Sequence, residues 1–260
     1  MSTDIHSKVK AQFSKTARAY VSSTIHAKGD ELKLLLELAG NVTSKKVLDI
    51  ATGGGHTALA FAKAGAEVTA TDLTPAMLET AKTFIAEQGV DSVVFQEASA
   101  EALPFENQSF DIVTCRIAAH HFAEPKKFVG EVARILKPEG LFLLVDNVSP
   151  TDSVLAETMN YIEKTRDPSH VWAYSVPTWL NWLTEAGLEL HHLTRFKRSK
   201  NYPYWTNYAQ TPETVVKELE HTILSLPRSQ QKYFEITVKE GRLETLSHEV
   251  MVLVARHVGC

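Results

Sequence analysis

A parallel sheet covered by helices on both faces, an α/β fold, is what this sequence predicts, and three observations carry the prediction. Short apolar runs alternate with helix-periodic stretches between residues 47 and 147. Three glycines, Gly53 to Gly55, follow the first apolar run and open the first helical stretch. Punctuation falls in the gaps: Thr74-Pro75 and Pro125 are placed to start helices, and Pro138-Glu-Gly140 to stop one. Strand and helix in this order lead to parallel strands joined by right-handed crossovers, because few other connections are open to the chain.

Residues 1–40 read as helical. Val9, Phe13, Ala17 and Tyr20 recur on one face, and Asp30 is placed to cap a second segment carrying Leu32, Leu35, Leu36 and Ala39 before Gly40. Strands are expected at 47–51, 67–71, 92–96, 110–115 and 140–147, with helices at 56–64, 75–88 and 125–136 between them. Only the third crossover is short and irregular. Beyond Asp146 the texture changes, since all four tryptophans (Trp172, Trp179, Trp182, Trp205) and five of the seven tyrosines lie between 161 and 208. A helix is expected at 177–186, a strand near 188–197, helical material at 212–225 and a closing strand near 249–256.

The composition is that of an ordinary globular protein. Its 260 residues carry 27 Lys and Arg against 31 Asp and Glu, a net charge of −4, with 44% hydrophobic residues, so no basic excess calls for nucleic acid. Leu141 to Val145 and Val250 to Ala255 are the longest clearly apolar stretches, far short of a membrane span, and no apolar signal core opens the sequence. A cytoplasmic protein without a membrane partner is expected. Cys115 and Cys260 offer no metal spacing, so no metal is expected. The basic run Arg195-Phe-Lys-Arg-Ser-Lys200 falls on an expected sheet edge, where charge guards against edge pairing.

Charge at the glycine bend narrows the ligand. Gly53, Gly55 and Ala58 fit the Gly-x-Gly-x-x-Gly/Ala spacing of nucleotide folds, but Asp49 sits just before the bend. A dinucleotide site offers helix N–H groups to a pyrophosphate, and a carboxylate beside that phosphate repels it. Asp49 therefore points to a cationic or amine-bearing ligand. Asp72 ends the next strand, close to the roughly 20-residue offset at which an acid accepts bonds from ribose hydroxyls. Ribose joined to a cationic amino-acid end describes S-adenosylmethionine.

On Val47-Leu-Asp-Ile-Ala-Thr-Gly-Gly-Gly, Thr71-Asp-Leu-Thr-Pro-Ala-Met-Leu, Ala100-Glu-Ala-Leu-Pro-Phe-Glu-Asn-Gln-Ser-Phe-Asp-Ile-Val and Leu136-Lys-Pro-Glu-Gly-Leu, the sequence resembles the class I methyltransferases. The nearest likeness is to the small-molecule group typified by the ubiquinone and menaquinone biosynthesis enzymes. This resemblance implies a Rossmann-like doubly wound, seven-stranded, mostly parallel sheet with one antiparallel strand, plus N-terminal helices and a helical lid. Residues 1–40 would form the cover, 41–150 the cofactor-binding core, and 151–260 the lid and the completion of the sheet, with 212–240 inserted between the last two strands. The implied activity is transfer of a methyl group from S-adenosylmethionine to an O, C or N centre of a small molecule, leaving S-adenosylhomocysteine.

Site residues follow from the same resemblance. Gly53, Gly54 and Gly55 would flank the methionine end and Asp49 would accept a bond from its amino group. Asp72 and Leu73 would serve the ribose and one adenine face, Ser99 with the Ala100 N–H the adenine edge, and Arg116 and Ile117 would border the cofactor. Ala51 stands where the family has a glycine, which is tolerable if the residue does not need positive φ. Tyr20 matches a position whose helix covers the cofactor.

Methyl transfer needs in-line placement, and a base only if the acceptor must lose a proton. His120, His121, His170 and Tyr20 are the candidates; the bland alternative for the adjacent pair is an imidazole that satisfies backbone groups under its loop. Arg166-Asp-Pro-Ser-His170 reads either as a lid over the acceptor or as a polar helix cap. The aromatic band suits a flat or apolar acceptor such as a quinol, a phenol or a lipid-like molecule, or else the core of a helical subdomain. Two rival functions are a nicotinamide-dependent oxidoreductase, which shares the glycines but leaves Asp49 unexplained, and a non-catalytic S-adenosylmethionine-binding regulator. A homodimer is left open.

Overall fold

Strand β1 (Lys46–Ile50) has neighbours on both edges, β2 (Glu67–Asp72) and β4 (Phe110–Arg116), both parallel to it, and this buries Val47, Leu48 and Ile50. A computed structural model describes residues 2–22 and 29–259, and side chains over 4–16 and 29–259. Within it, β3 (Val94–Glu97) lies outside β2, while β5 (Leu136–Val148), β8 (Arg242–His257) and β6 (Leu188–Asn201) follow β4, giving the order β3-β2-β1-β4-β5-β8-β6. Only β8 runs antiparallel to its neighbours β5 and β6. The seven-stranded sheet with one reversed member is therefore present, and β7 (Thr237–Lys239) adds a short eighth strand against β8. Its three exposed residues carry no apolar alternation, so no periodicity marks it.

Alternation along the strands divides the core in two. Leu48, Ile50 and Val113 face α5 (Pro125–Ile135) and α7 (Val176–Glu185), packing with Phe128, Ile135, Trp179 and Leu183. Val47, Val68 and Val145 face the other way, onto Leu35 of α2 (Asp30–Ala39), Phe61 of α3 (His56–Lys63) and Ile85 of α4 (Pro75–Glu87). The order of connections reverses between β1 and β4, opening a crevice at the carboxyl ends of the strands. Helix α1 (Ser2–Ser22) contacts α4 beside that crevice.

Several boundaries differ from expectation. Gly29, not Asp30, is the N-cap of α2, and Asp30 instead sits in the first turn, where its charge suits the helix dipole. Helix α5 stops at Ile135, before Pro138: a proline disfavours helical geometry in the residue ahead of it, and Leu136 already pairs with Phe110. Strand β8 starts at Arg242 because β6 runs on to Asn201, pairing Lys200 and Asn201 with Leu246 and Thr245, and β7 then pairs with Leu243 and Arg242.

Beyond β5, α6 (Ser153–Arg166), α8 (Tyr202–Tyr208) and α9 (Glu213–Leu224) enclose a smaller core with Ile162, Trp205, Leu219 and Ile223; α10 (Arg228–Tyr233) follows α9. The basic run lies on edge strand β6, but two of its charges are partly buried and paired. Lys200 Nζ donates to Glu163 Oε1 at 2.6 Å, and Arg198 Nη2 lies 2.9 Å from Glu31 Oε2. Glu163 also meets His248 Nδ1 at 2.7 Å, and Arg166 and Lys200 lie over the Trp205 ring at 4.5 and 4.8 Å. Burial disfavours the Glu163 charge, yet these cations hold its carboxyl well below the usual range.

Gly55 couples the bend to helix packing. Its φ is 84°, and an added Cβ would lie 3.0 Å from both Ala81 Cβ and Ile85 Cδ1 of α4. Gly55→Ala is expected to destabilise the protein by about 1–3 kcal/mol through overpacking and left-handed strain, lowering the urea midpoint without changing the slope. An unchanged midpoint would contradict this packing.

Candidate active site

The chain turns out of β1 through three left-handed residues, Ala51 (φ 54°), Gly53 (φ 54°) and Gly55 (φ 84°). Thr52 N donates to Thr71 O at 2.8 Å, and Gly55 N to Thr52 O at 2.9 Å, so the bend is anchored to β2. The provision attached to Ala51 fails: it does adopt positive φ, which costs an L-residue about 1–2 kcal/mol. Ile117, just after β4, also has φ 54°, a genuine outlier for a β-branched residue, and its N–H is held by Val145 O at 2.7 Å. Both strained residues line the same cleft.

Two buried carboxylates stand at the ends of neighbouring strands. Asp49 accepts from Thr52 Oγ1 on one oxygen and from Thr114 Oγ1 on the other, each at 2.7 Å. Burial pushes its pKa up, against the pull of those hydroxyls and of Arg116. Asp72 Oδ2 accepts from Gly53 N at 3.0 Å and Oδ1 from Thr74 N at 2.8 Å. Burial outweighs these amides and pushes the Asp72 pKa up to about 6.

The cleft holds about 920 Å3 of space, open mouth included, and α1 contributes His6, Val9 and Phe13 to its wall. Asp49, Ala51, Gly53, Gly54, Asp72 and Leu73 line it, as do Ser99, Ala100, Arg116 and Ile117 across from the bend. Gly55 does not; it serves the packing of α4 instead. The side chain of Tyr20 lies outside the described residues.

Ser99 is already engaged. Its hydroxyl donates to Glu101 Oε2 at 2.6 Å, where His6 Nε2 also lies at 3.0 Å, and Glu101 Oε1 accepts from Ala123 N and Glu124 N at 2.8 and 3.0 Å. Burial opposes the Glu101 charge, but Ser99, the Glu124 amide and His6 together hold its pKa low. Glu101 is thus the charged acceptor on this side of the cleft. Arg116 Nε donates to Thr57 Oγ1 at 2.9 Å and Nη1 to Glu31 Oε1 at 3.2 Å. Glu31 folds back over Gly29, where an added Cβ would collide with its carboxylate, and through Arg116 and Arg198 it ties α2 and β6 to the cleft wall.

Three histidines meet at the far end. His120 and His121 occupy a 3-10 turn after β4, with ring centroids 4.2 Å apart, and His170 lies 5.5 and 6.3 Å from them. His120 Nδ1 pairs with Asp146 Oδ1 at 2.5 Å; burial disfavours the cation but Asp146 outweighs it and raises the pKa. His121 Nδ1 lies 3.1 Å from Ser169 Oγ, and burial with the neighbouring His120 lowers its pKa to about 4. His170 Nε2 meets Asn160 Oδ1 at 2.8 Å, and burial lowers its pKa to about 2. Of the three, His121 alone lines the cleft.

A family model described as a methyltransferase domain matches residues 48–144. The chain is 42% identical over 207 residues to an uncharacterized methyltransferase, YcgJ, of Bacillus subtilis (strain 168), spanning 80% of this chain and 82% of that protein. It belongs to the methyltransferase family. The crystal structure of the Bacillus subtilis YcgJ protein matches with a TM-score of 0.85 at 36% identity, covering 88% of this chain and 99% of that one. A ubiquinone biosynthesis O-methyltransferase of Xanthomonas euvesicatoria pv. vesicatoria (strain 85-10) is 34% identical over 195 residues, spanning 72% of this chain and 78% of that protein. The chain is accordingly an S-adenosylmethionine-dependent methyltransferase with the Rossmann-like class I fold.

In this methyltransferase several expected contributors lie elsewhere. His120 and His170 are turned into the protein behind His121, and the Arg166 to His170 segment underlies His121 rather than covering the cleft. Of the aromatic band, Tyr174, Trp179 and Trp182 pack into the main core and Tyr202 and Trp205 into the smaller one, while Tyr161 and Tyr204 are exposed; the rings that do face the cleft include Phe13 and Phe122. The apolar face of α1 had brought Phe13 into view, and Glu101 lay inside a quoted motif without a role, but nothing in the sequence marked its contact with His6, because the pairing joins residues 95 positions apart. Ala51→Gly is expected to raise stability by about 0.5–1 kcal/mol in urea unfolding, since the left-handed strain removed exceeds the added chain entropy. A lowered midpoint would show that Ala51 is not strained.

Proposed function

We propose that this methyltransferase moves the methyl group of S-adenosylmethionine to a small-molecule acceptor held in the same cleft, by in-line displacement. The observation that carries the reading is the pair of buried carboxylates, Asp49 and Asp72, at adjacent strand ends on one cleft wall. Their donor set fits the cofactor. Asp49 beside the bend suits a cationic amino-acid end and repels a diphosphate, which disfavours a nicotinamide dinucleotide. Each Asp72 oxygen holds one backbone amide and can accept a further bond, as a ribose diol requires. Leu73 offers an apolar surface to the adenine, and the Ala100 N–H with Glu101 offers hydrogen-bonding groups to its edge.

When bound, the cofactor supplies an activated methyl group on a sulfonium whose thioether leaves readily. The chain's own residues then have three tasks. Asp49, Asp72 and the glycine backbone orient the cofactor; α1, through Val9 and Phe13, shields the cleft from water; Phe13 and Phe122 give the acceptor apolar walls. No described helix is long and apolar enough to cross a membrane, and a cytoplasmic site of action is part of the proposal.

Calorimetric titration with S-adenosylhomocysteine tests the cofactor half. Asp72→Ala is expected to weaken binding by about 1–3 kcal/mol, and equal affinity would remove the ribose contact from the account. The pH dependence follows from the Asp72 pKa of about 6. Because the folded value is raised, the contribution of Asp72 to the stability of the free protein is full below its unfolded pKa and is lost as pH rises through about 6. Hydroxyl donors favour the carboxylate, so affinity should be highest above pH 6 and fall toward acid. Asp72→Asn should remove the part of that fall centred near pH 6, and an identical profile in the variant would contradict the assignment.

A further inference from the structure

Behind the cleft wall, Asp167, Ser169 and His121 form a hydrogen-bonded chain whose proton directions are fixed by valence. Ser169 has one hydroxyl proton and two neighbours within reach of it: Asp167 Oδ1 at 2.5 Å and His121 Nδ1 at 3.1 Å. Arg166 Nη2 lies 3.7 Å from Asp167 Oδ2, and the Ser169 N–H bonds Oδ1 at 2.9 Å, an environment for a carboxylate that can only accept. The hydroxyl proton therefore goes to Asp167. The serine oxygen then accepts from His121, which places the imidazole proton on Nδ1 and leaves Nε2 with a lone pair.

That nitrogen is available. Among the described residues no hydrogen bond reaches His121 Nε2, and it is not among the sealed, unpartnered atoms, which include His170 Nδ1 and His248 Nε2. We propose that His121 Nε2 is the proton acceptor for the methyl acceptor, that Asp167 and Ser169 are its positioning residues, and that the attacking atom is a hydroxyl oxygen or an N–H nitrogen on an aromatic or apolar body. The proposal rests on the methyltransferase reading above. The acceptor's proton passes to Nε2, and the pair left on its oxygen or nitrogen forms the new bond to the methyl carbon. The carbon–sulfur pair departs with sulfur, and water later takes the proton from Nε2.

The surroundings suit the role. His121 is faced by His120 of its own turn, with Asp146 of β5 behind it, by Asp167 through Ser169, by His170, and by the edge of the Phe13 ring at 5.0 Å. Burial and His120 keep the ring neutral at pH 7 at the expense of its basicity, and Asp167, through Ser169, offsets part of that loss by stabilising the imidazolium formed in the step.

Nitrogen-15 NMR of the full-length, histidine-labelled protein without ligand tests this directly. His121, assigned with His121→Gln, should show a protonated Nδ1 and a bare Nε2 at pH 7 and stay neutral to about pH 5. Ser169→Ala should shift the population toward the Nε2–H tautomer, and Ser169→Thr, which keeps the hydroxyl, should restore the wild-type pattern. A wild-type ring protonated at Nε2, or a tautomer indifferent to Ser169→Ala, overturns the proposal. Diethyl pyrocarbonate mapped by peptide mass gives a second reading: His121 should react ahead of His120 and His170, and the reverse order also overturns it. Neither readout involves cofactor, so failure here is separable from failure to bind S-adenosylhomocysteine.

Discussion

The grip of the Asp72 carboxylate on the Gly53 and Thr74 amides is the constraint on which the rest of the site depends. It joins the end of β1 to the end of β2 and fixes the glycine bend against the start of α4. The same residue is buried enough to have its charge disfavoured, so the site holds a carboxylate that gains from each hydrogen-bond donor brought to it. Asp49 repeats the arrangement one strand away, with hydroxyl donors instead of amides. A cleft with two such groups is electrostatically prepared for donors and cations and poorly suited to phosphate.

Strain and burial extend this preparation outward. Ala51 and Ile117 are held in left-handed geometry at the carboxyl ends of β1 and β4, and packing of the sheet behind them sustains the conformation. Arg116 is tied through Glu31 to α2, and Arg198 brings β6 to the same carboxylate. On the other side, the smaller core of α6, α8 and α9 supports Arg166, which faces Asp167, and through Ser169 reaches His121. The C-terminal region thus acts on the cleft from beneath, through hydrogen bonds, rather than by laying aromatic rings across it.

The sheet was legible in the sequence because its central strands are buried on both faces and its helices are punctuated by Thr74-Pro75 and Pro125. β7 was not legible, since three exposed residues carry no period. The cleft wall that carries Asp49 and Asp72 was likewise legible, because both acids sit at fixed offsets from a glycine bend. What escaped depended on contacts between distant segments: His6 with Glu101, Glu31 with Arg116 and Arg198, and Ser169 with His121. The Ala51 backbone was marked only as a condition, through the glycine that the family carries there, because alanine itself gives no local sign of positive φ.

The claim at the centre is that two acids at the bend select an adenosyl amino acid over a diphosphate. Parallel calorimetric titrations of the wild-type protein with S-adenosylhomocysteine and with NADH test it most directly. The account predicts saturable binding of the first and none of the second; binding of NADH with no response to S-adenosylhomocysteine would contradict it.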